Sequence, residues 1–316
     1  MILTRPLVTG AAGFIGYHLC QYLNSIQEVE QIIAVDLKDS KNILSLRKFE
    51  KVMVVESDMN YESVSQLLSL EASSVFALAA LNGTSRFYKE PFKVLESSTI
   101  PTLALLSKLD SSIPVLYSSS SEVYASNLTL GIGSIPSSEE VPLTISDVHN
   151  PRWSYAAAKI HGEMAIVSSS VEHDRPTSIV RYHNVYGPKM GTDHFIPDFV
   201  SRALKGEFVI QNPDHSRSFM HVHDAVRGTV KAILSSNTQT PTFHLGTMQE
   251  ITIREAAYRI LELMGLKGIE IKEIDGPKGS VLRRVPSIEK AKKQLGWHPE
   301  VGFDEGVKDY LASLRG

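Results

Sequence analysis

Cysteine is almost missing from this chain of 316 residues: it occurs once, as Cys20. One thiol excludes an internal disulfide framework and any cysteine-rich metal site. Long apolar runs are missing too. None approaches the ~18–20 residues needed to span a bilayer, and the opening Met1-Ile2-Leu3-Thr4-Arg5-Pro6 has no apolar stretch of signal-peptide length. Charge of one sign is also lacking. The 32 Lys+Arg and 35 Asp+Glu leave a net −3, which gives no electrostatic footprint for nucleic acid or for an anionic membrane surface. There is no internal repeat and no low-complexity linker. What is present, 42% apolar and 21% charged residues, suffices for a sizeable core and excludes disorder as the main state. The expectation is a soluble, cytoplasmic chain large enough for an enzyme, with two domains or one large α/β unit at about 150 residues per domain.

Short apolar runs alternate with helical spacing through the first half. Leu7-Val8-Thr9 reads as a strand, and Phe14, Ile15, Leu19 and Leu23 as one side of a helix. Further strands are expected at Ile32–Val35, Val52–Val55, Val75–Ala80, Pro114–Ser118 and Thr177–Arg181. Near-continuous apolar strands separated by helices indicate a parallel sheet covered on both faces. Beyond about residue 185 the loops lengthen. Helical patterns at 195–205, 224–234, 253–264 and 287–295 then point to a smaller α+β lobe with few long strands.

Gly10-Ala11-Ala12-Gly13-Phe14-Ile15-Gly16 lies directly between the first strand and the first helix. Glycines there permit a tight turn and close approach of backbone to a pyrophosphate, and the helix N-terminus offers free N–H groups to it. Asp36 ends the next strand, where a carboxylate accepts hydrogen bonds from ribose hydroxyls and repels a 2′-phosphate, which favours NAD over NADP. The bland alternative is a helix-entry turn and a loop acid. Tyr155 and Lys159 stand four apart at the start of a helix, on one face. An ammonium near a phenol favours the phenolate, a base suited to removing a hydroxyl proton. Ser118-Ser119-Ser120-Ser121-Glu122-Val123-Tyr124 offers a hydroxyl partner, or a plain serine cap for the next helix.

The G-x-x-G-x-x-G spacing, with these other motifs, resembles the extended short-chain dehydrogenase/reductase superfamily, and within it the NAD-dependent nucleotide-sugar epimerase/dehydratase branch, over nearly the whole chain. The resemblance implies a Rossmann-type doubly wound parallel sheet at 1–180, a nucleotide-sugar-binding lobe at 181–316, and a return of the chain to the first lobe at about 216–235. It implies Ser120, Tyr155 and Lys159 as the catalytic trio, with the serine register open by one. For NAD it implies Gly10, Gly13, Phe14, Ile15, Gly16 and Asp36, then Asp58 near the adenine amine with Met59 beside it. Leu78, Ala79 and Ala80 line the cofactor, Ser118, Tyr155 and Lys159 adjoin it, and Tyr182 and His183 lie on the nicotinamide side. For the substrate it implies Asn82, Ser120, Ser121, Glu122, Asn184, His194, Phe195 and Val209, with Arg217 and Arg284 on the diphosphate, where bidentate guanidinium contacts suit phosphate. For each arginine the alternative is a structural ion pair. Residues 82–88, Ser98 and Ser287 depart from the family pattern, so the sugar pocket is expected to be atypical.

The resemblance further implies oxidation at C4 of a nucleoside-diphosphate sugar, with 4-epimerisation as the leading outcome. Ser121-Glu122 in place of Asp-Glu argues against 4,6-dehydration and resembles the UDP-glucuronate decarboxylases. Net 4-oxidation is a further alternative, and a non-catalytic sugar-nucleotide-binding regulator is the alternative of another class. Glu122 is equally readable as a cap or a salt-bridged residue. His221-Val222-His223-Asp224 tempts a metal reading, but no metal is expected. Cys20 is read as core. A homodimer through helices at about 92–108 and 153–169 is expected.

Overall fold

The computed structural model describes residues 2–37, 42–68, 70–276 and 281–315. In chain order the strands are β1 Pro6–Thr9, β2 Ile32–Asp36, β3 Val52–Glu56, β4 Ser74–Ala77, β5 Val115–Ser120, β6 Thr177–Tyr182, β7 Val185–Tyr186, β8 Val209–Gln211, β9 Ser216–Arg217, β10 Met220–His221, β11 Thr242–Leu245, β12 Ile251–Thr252, β13 Lys272–Ile274 and β14 Arg283–Arg284. The helices are α1 Phe14–Asn24, α2 Ile43–Leu46, α3 Ser63–Leu68, α4 Thr84–Lys89, α5 Pro91–Lys108, α6 Ala125–Thr129, α7 Ser154–His173, α8 Phe195–Ala203, α9 Val222–Leu234, α10 Ile253–Leu263, α11 Glu289–Leu295 and α12 Phe303–Ser313.

Seven strands form one parallel sheet in the order β3-β2-β1-β4-β5-β6-β11. Every residue of β1, β4 and β6 is buried, as expected for strands covered on both faces. One face is covered by α1 and α9, whose Leu19, Leu23, Val222, Val226 and Ile233 join the strand residues Val8, Phe76 and Leu116. On the other face Leu105 and Leu106 of α5 and Ile166 of α7 meet Val35, Val75 and Tyr117. The order reverses between β1 and β4, which opens a crevice at the carboxyl ends of the strands where such sheets bind ligands.

A second core gathers Ile196, Phe199, Ile260, Phe303, Val307 and Tyr310 from α8, α10 and α12. Helix α12 is absent from the sequence reading, although Phe303, Val307 and Tyr310 repeat at helix spacing. Strand β11 is also absent from that reading. It pairs with β6 and completes the main sheet, so the chain returns to the first core through α9 and β11. Among the described residues no helix is long and apolar enough to cross a membrane.

Candidate active site

A cleft of about 1690 Å³ runs along the carboxyl ends of the sheet and under the second core. Its floor begins at the glycine turn. Gly10 has φ +67°, and a Cβ there would stand 3.0 Å from the Ala79 backbone; a Cβ on Gly16 would overlap the Gly10 carbonyl. Helix α1 starts at Gly13 with no side-chain cap and no acid in its first turn. Its N–H groups are therefore not committed to a side chain, the arrangement that receives a phosphate. Asp36 ends β2 and accepts from the Ala12 N–H at 2.7 Å and the Leu37 N–H at 2.7 Å, which ties the turn to the second strand. Leu78 and Ala79 leave β4 as a loop, held by their N–H groups donating to Thr9 Oγ1 at 3.0 Å each. Asp58 is held below the usual carboxylate range by the Ser63 hydroxyl and the Asn60 N–H, and Met59 beside it is buried. These features fit a dinucleotide: a cradle that only glycine permits, an open helix N-terminus and a carboxylate at ribose distance in sequence.

Tyr155 and Lys159 lie on the first turns of α7 and face the cleft. Lys159 is 1% exposed, and its ammonium donates to the Ser118 carbonyl at 2.6 Å, 5.6 Å from the Tyr155 ring centre. Burial brings its pKa down to about 7, with Glu163 partly opposing. Phe87 stacks on Tyr155 at 5.2 Å. The lysine is expected to lower the phenol's pKa; instead burial, and then the charge of Glu122, raise it above its ordinary value. The ammonium is spent on Ser118, and desolvation acts on both partners at once.

The four serines each have a distinct partner. Ser118 meets Lys159, and Ser119 donates to Glu163, which also takes a bidentate pair from Arg181 at 2.9 and 2.8 Å. Ser120 ends β5 and accepts from the Glu122 N–H at 3.3 Å, and Ser121 meets Arg284 at 3.3 Å. All four border the cleft, Ser119 with its hydroxyl committed to Glu163, and Ser120 caps the next turn, as the cap reading expects. Glu122 is clamped between Arg152 at 2.7 Å and Arg284 at 2.6 Å. Burial raises its pKa, but the two guanidiniums outweigh this and hold it at about 2. Arg217 stands opposite Arg284 on paired strands, and burial beside Arg284 brings its pKa to about 9.

All the predicted site residues but one border this cleft. Gly13, Phe14, Ile15, Ala80, Asn82, His194, Phe195 and Val209 are among them. His194 begins α8, and burial lowers its pKa; Asn184 donates to the Ser218 carbonyl at 3.0 Å. Tyr182 borders the cleft while its hydroxyl pairs with Thr229 at 2.6 Å. His183 is the exception. It is fully buried away from the cleft, bonded to the Tyr124 hydroxyl at 2.8 Å with its ring 4.9 Å from that of His244. Residues 182 and 183 are consecutive at the end of a strand, and alternation sends them to opposite faces. Sequence reasoning overlooked Arg152 and Glu163 as site partners. A signal existed for Glu163, which follows Lys159 by one helical turn.

The fold and this arrangement define a dinucleotide-dependent enzyme with a tyrosine–lysine pair. The sequence profile of the "NAD dependent epimerase/dehydratase family" matches residues 6–246, and the chain belongs to that family. It is 31% identical over 314 residues to UDP-glucuronic acid decarboxylase 6 of Arabidopsis thaliana, covering 96% of this chain and 86% of that one. It is 28% identical to the UDP-N-acetyl-alpha-D-glucosaminuronate decarboxylase of Bacillus cytotoxicus, covering 98% of each. Among solved structures, the UDP-glucose 4-epimerase of Thermotoga maritima with UDP-glucose superposes with a TM-score of 0.85 at 28% identity over 98% of both chains. The UDP-glucuronic acid 4-epimerase of Bacillus cereus, solved with UDP-glucuronic acid and NAD, shares the fold with a TM-score of 0.85 at 24% identity, covering 98% of this chain and 99% of that one.

Proposed function

We propose that this protein is a nucleoside-diphosphate-sugar 4-epimerase working as a cytoplasmic homodimer on a UDP-linked neutral hexose. NAD, held at the glycine turn, would supply a reversible hydride acceptor. The residues of the chain do the rest. Tyr155 removes the proton of the C4 hydroxyl and returns it after the sugar has presented its other face. Ser120 orients the reacting oxygen, and Lys159, anchored on Ser118, sets the charge beside the phenol. Arg217 and Arg284 hold the diphosphate.

The observation that carries the choice of outcome is the Arg152–Glu122–Arg284 clamp. Glu122 is ionised above about pH 2, so it has no proton to give to a sugar carbon at neutral pH. Its charge also leaves the Arg152, Arg217 and Arg284 cluster with a net +2, which matches a diphosphate. A second reading, oxidation of a UDP-uronate followed by loss of carbon dioxide, is favoured by the names of the curated relatives and by the Ser121-Glu122 pair. Incubation with UDP-glucose, UDP-galactose and UDP-glucuronate decides between them. The proposal expects interconversion of the two neutral sugars without NADH accumulation. Release of carbon dioxide from the uronate, with the neutral sugars unchanged, establishes the second reading.

A further inference from the structure

Behind the wall of the cleft, on the far side of Tyr186, His221 and His223, whose spacing tempts a metal reading in the sequence, are met by Asp309, which no spacing connects to them. His221 ends β10 and precedes α9, His223 lies in the first turn of α9, and Asp309 comes from α12. One donor atom of each lies within 4.8 Å of the other two. His221 is 1% exposed, and among the described residues neither of its ring nitrogens has a hydrogen-bond partner; Asp309 Oδ2 lacks one as well. Yet His221 Nε2 and Asp309 Oδ2 stand only 3.2 Å apart. They approach at a distance that a bridging ion between them could also satisfy. A separation of about 3.3 Å is the edge of a tetrahedron whose corners lie 2.0–2.1 Å from a central zinc ion; the His221–Asp309 pair matches it, and the wider separation to His223 must close on binding. Buried imidazoles ordinarily find partners for their nitrogens, and a polar group left orphaned in a core asks for an unseen ion or water.

We propose that His221, His223 and Asp309 form a binding site for one divalent transition-metal ion of the zinc type, separate from the active site, with water in the fourth position. Two imidazoles and a carboxylate are a borderline-soft donor set that suits zinc and not magnesium or calcium. His223 is exposed and provides the entry path. The positive end of α9 opposes a cation here, and the carboxylate of Asp309 offsets it. The ion would join two parts of the molecule. Phe303, Val307 and Tyr310 anchor α12 in the second core, whereas Val222 and Val226 anchor α9 on the main sheet. The site lies one ring behind the cleft, since Tyr186 borders the cleft and meets His221 at 5.6 Å between ring centres.

The test uses the full chain, stripped with a chelator and titrated with zinc chloride alone. Calorimetry is expected to give one zinc per chain, and zinc is expected to raise the melting temperature. Cobalt in its place is expected to give the visible spectrum of a tetrahedral centre. His223→Gln and Asp309→Asn alter partly or fully exposed side chains and leave the buried His221 in place. Each is expected to weaken zinc binding at least tenfold and to abolish the zinc-dependent rise in melting temperature, while melting without zinc stays close to that of the parent. Absence of stoichiometric zinc binding by the parent, or undiminished binding by both variants, overturns the proposal.

Discussion

At the scale of single residues, the site is governed by how burial divides charge among neighbours. Tyr155 and Lys159 are both desolvated, so the phenol is raised and the ammonium lowered in the protein alone. In the proposed mechanism Tyr155→Phe removes the hydroxyl that takes the C4 proton. Turnover is expected to fall by about 10²–10⁴-fold with the melting temperature little changed, measured by sugar interconversion and by thermal denaturation. Glu122 gives a pH signature. Its folded pKa of about 2 lies below the ordinary 4.5, so its charge stabilises the fold fully above pH 4.5, and that contribution is lost as the pH falls toward 2. In Glu122→Gln the acid-side loss of stability is expected to shrink by roughly 3 kcal/mol, read from denaturant midpoints across that window. Residues whose position follows from local spacing were legible in the sequence: the glycine turn, Asp36, Tyr155 and Lys159 each need only a strand end or a helical turn to place them at the cleft. His183 was not, because a one-residue step on a strand reverses direction. The meeting of Glu122 with Arg152 and Arg284 was not legible either, because no periodicity links residues that far apart.

At the scale of elements, β5, α7 and β6 are joined by one buried network. Glu163 of α7 accepts from Ser119 of β5 and from Arg181 of β6, and Arg181 donates onward to the Glu139 carbonyl at 2.9 Å. Both members of the Arg181–Glu163 pair are under one-tenth exposed, so removing one charge strands the other. Glu163→Gln is expected to cost about 3–5 kcal/mol of stability, measured by denaturant unfolding. Because Ser119 and Lys159 sit on the same two elements, turnover is expected to fall with it. The alternation of strands and helices was legible because both-face burial leaves nearly unbroken apolar runs, as in β1 and β4. The short β7, β9, β10 and β14, two residues each, carry no periodicity to read and exist only through their partners.

At the scale of the whole molecule, α5 and α7 pack on one another over the sheet and still present apolar residues outward. Phe92 is 75% exposed on α5, and Met164 and Val171 are 63% and 77% exposed on α7. Burying these against a second copy is the arrangement the proposed homodimer requires. Sedimentation is expected to show a dimer, and Met164→Glu with Val171→Glu to shift it to monomer without unfolding. Of the second core, α8 and α10 were legible as helical patterns at 195–205 and 253–264, whereas α12 and the packing of these helices on one another from distant parts of the chain were not. The path of that chain has a further consequence. After building β7 to β10 it returns through α9 and β11, whose Val222, Val226 and Phe243 complete the core around Leu19 and Phe76. The second core is thus stitched into the first and is not a detachable cassette. Swapping it as a module would cut that seam, so the preference of the cleft is expected to be altered by point changes and by replacing loops that border it, such as residues 82–88.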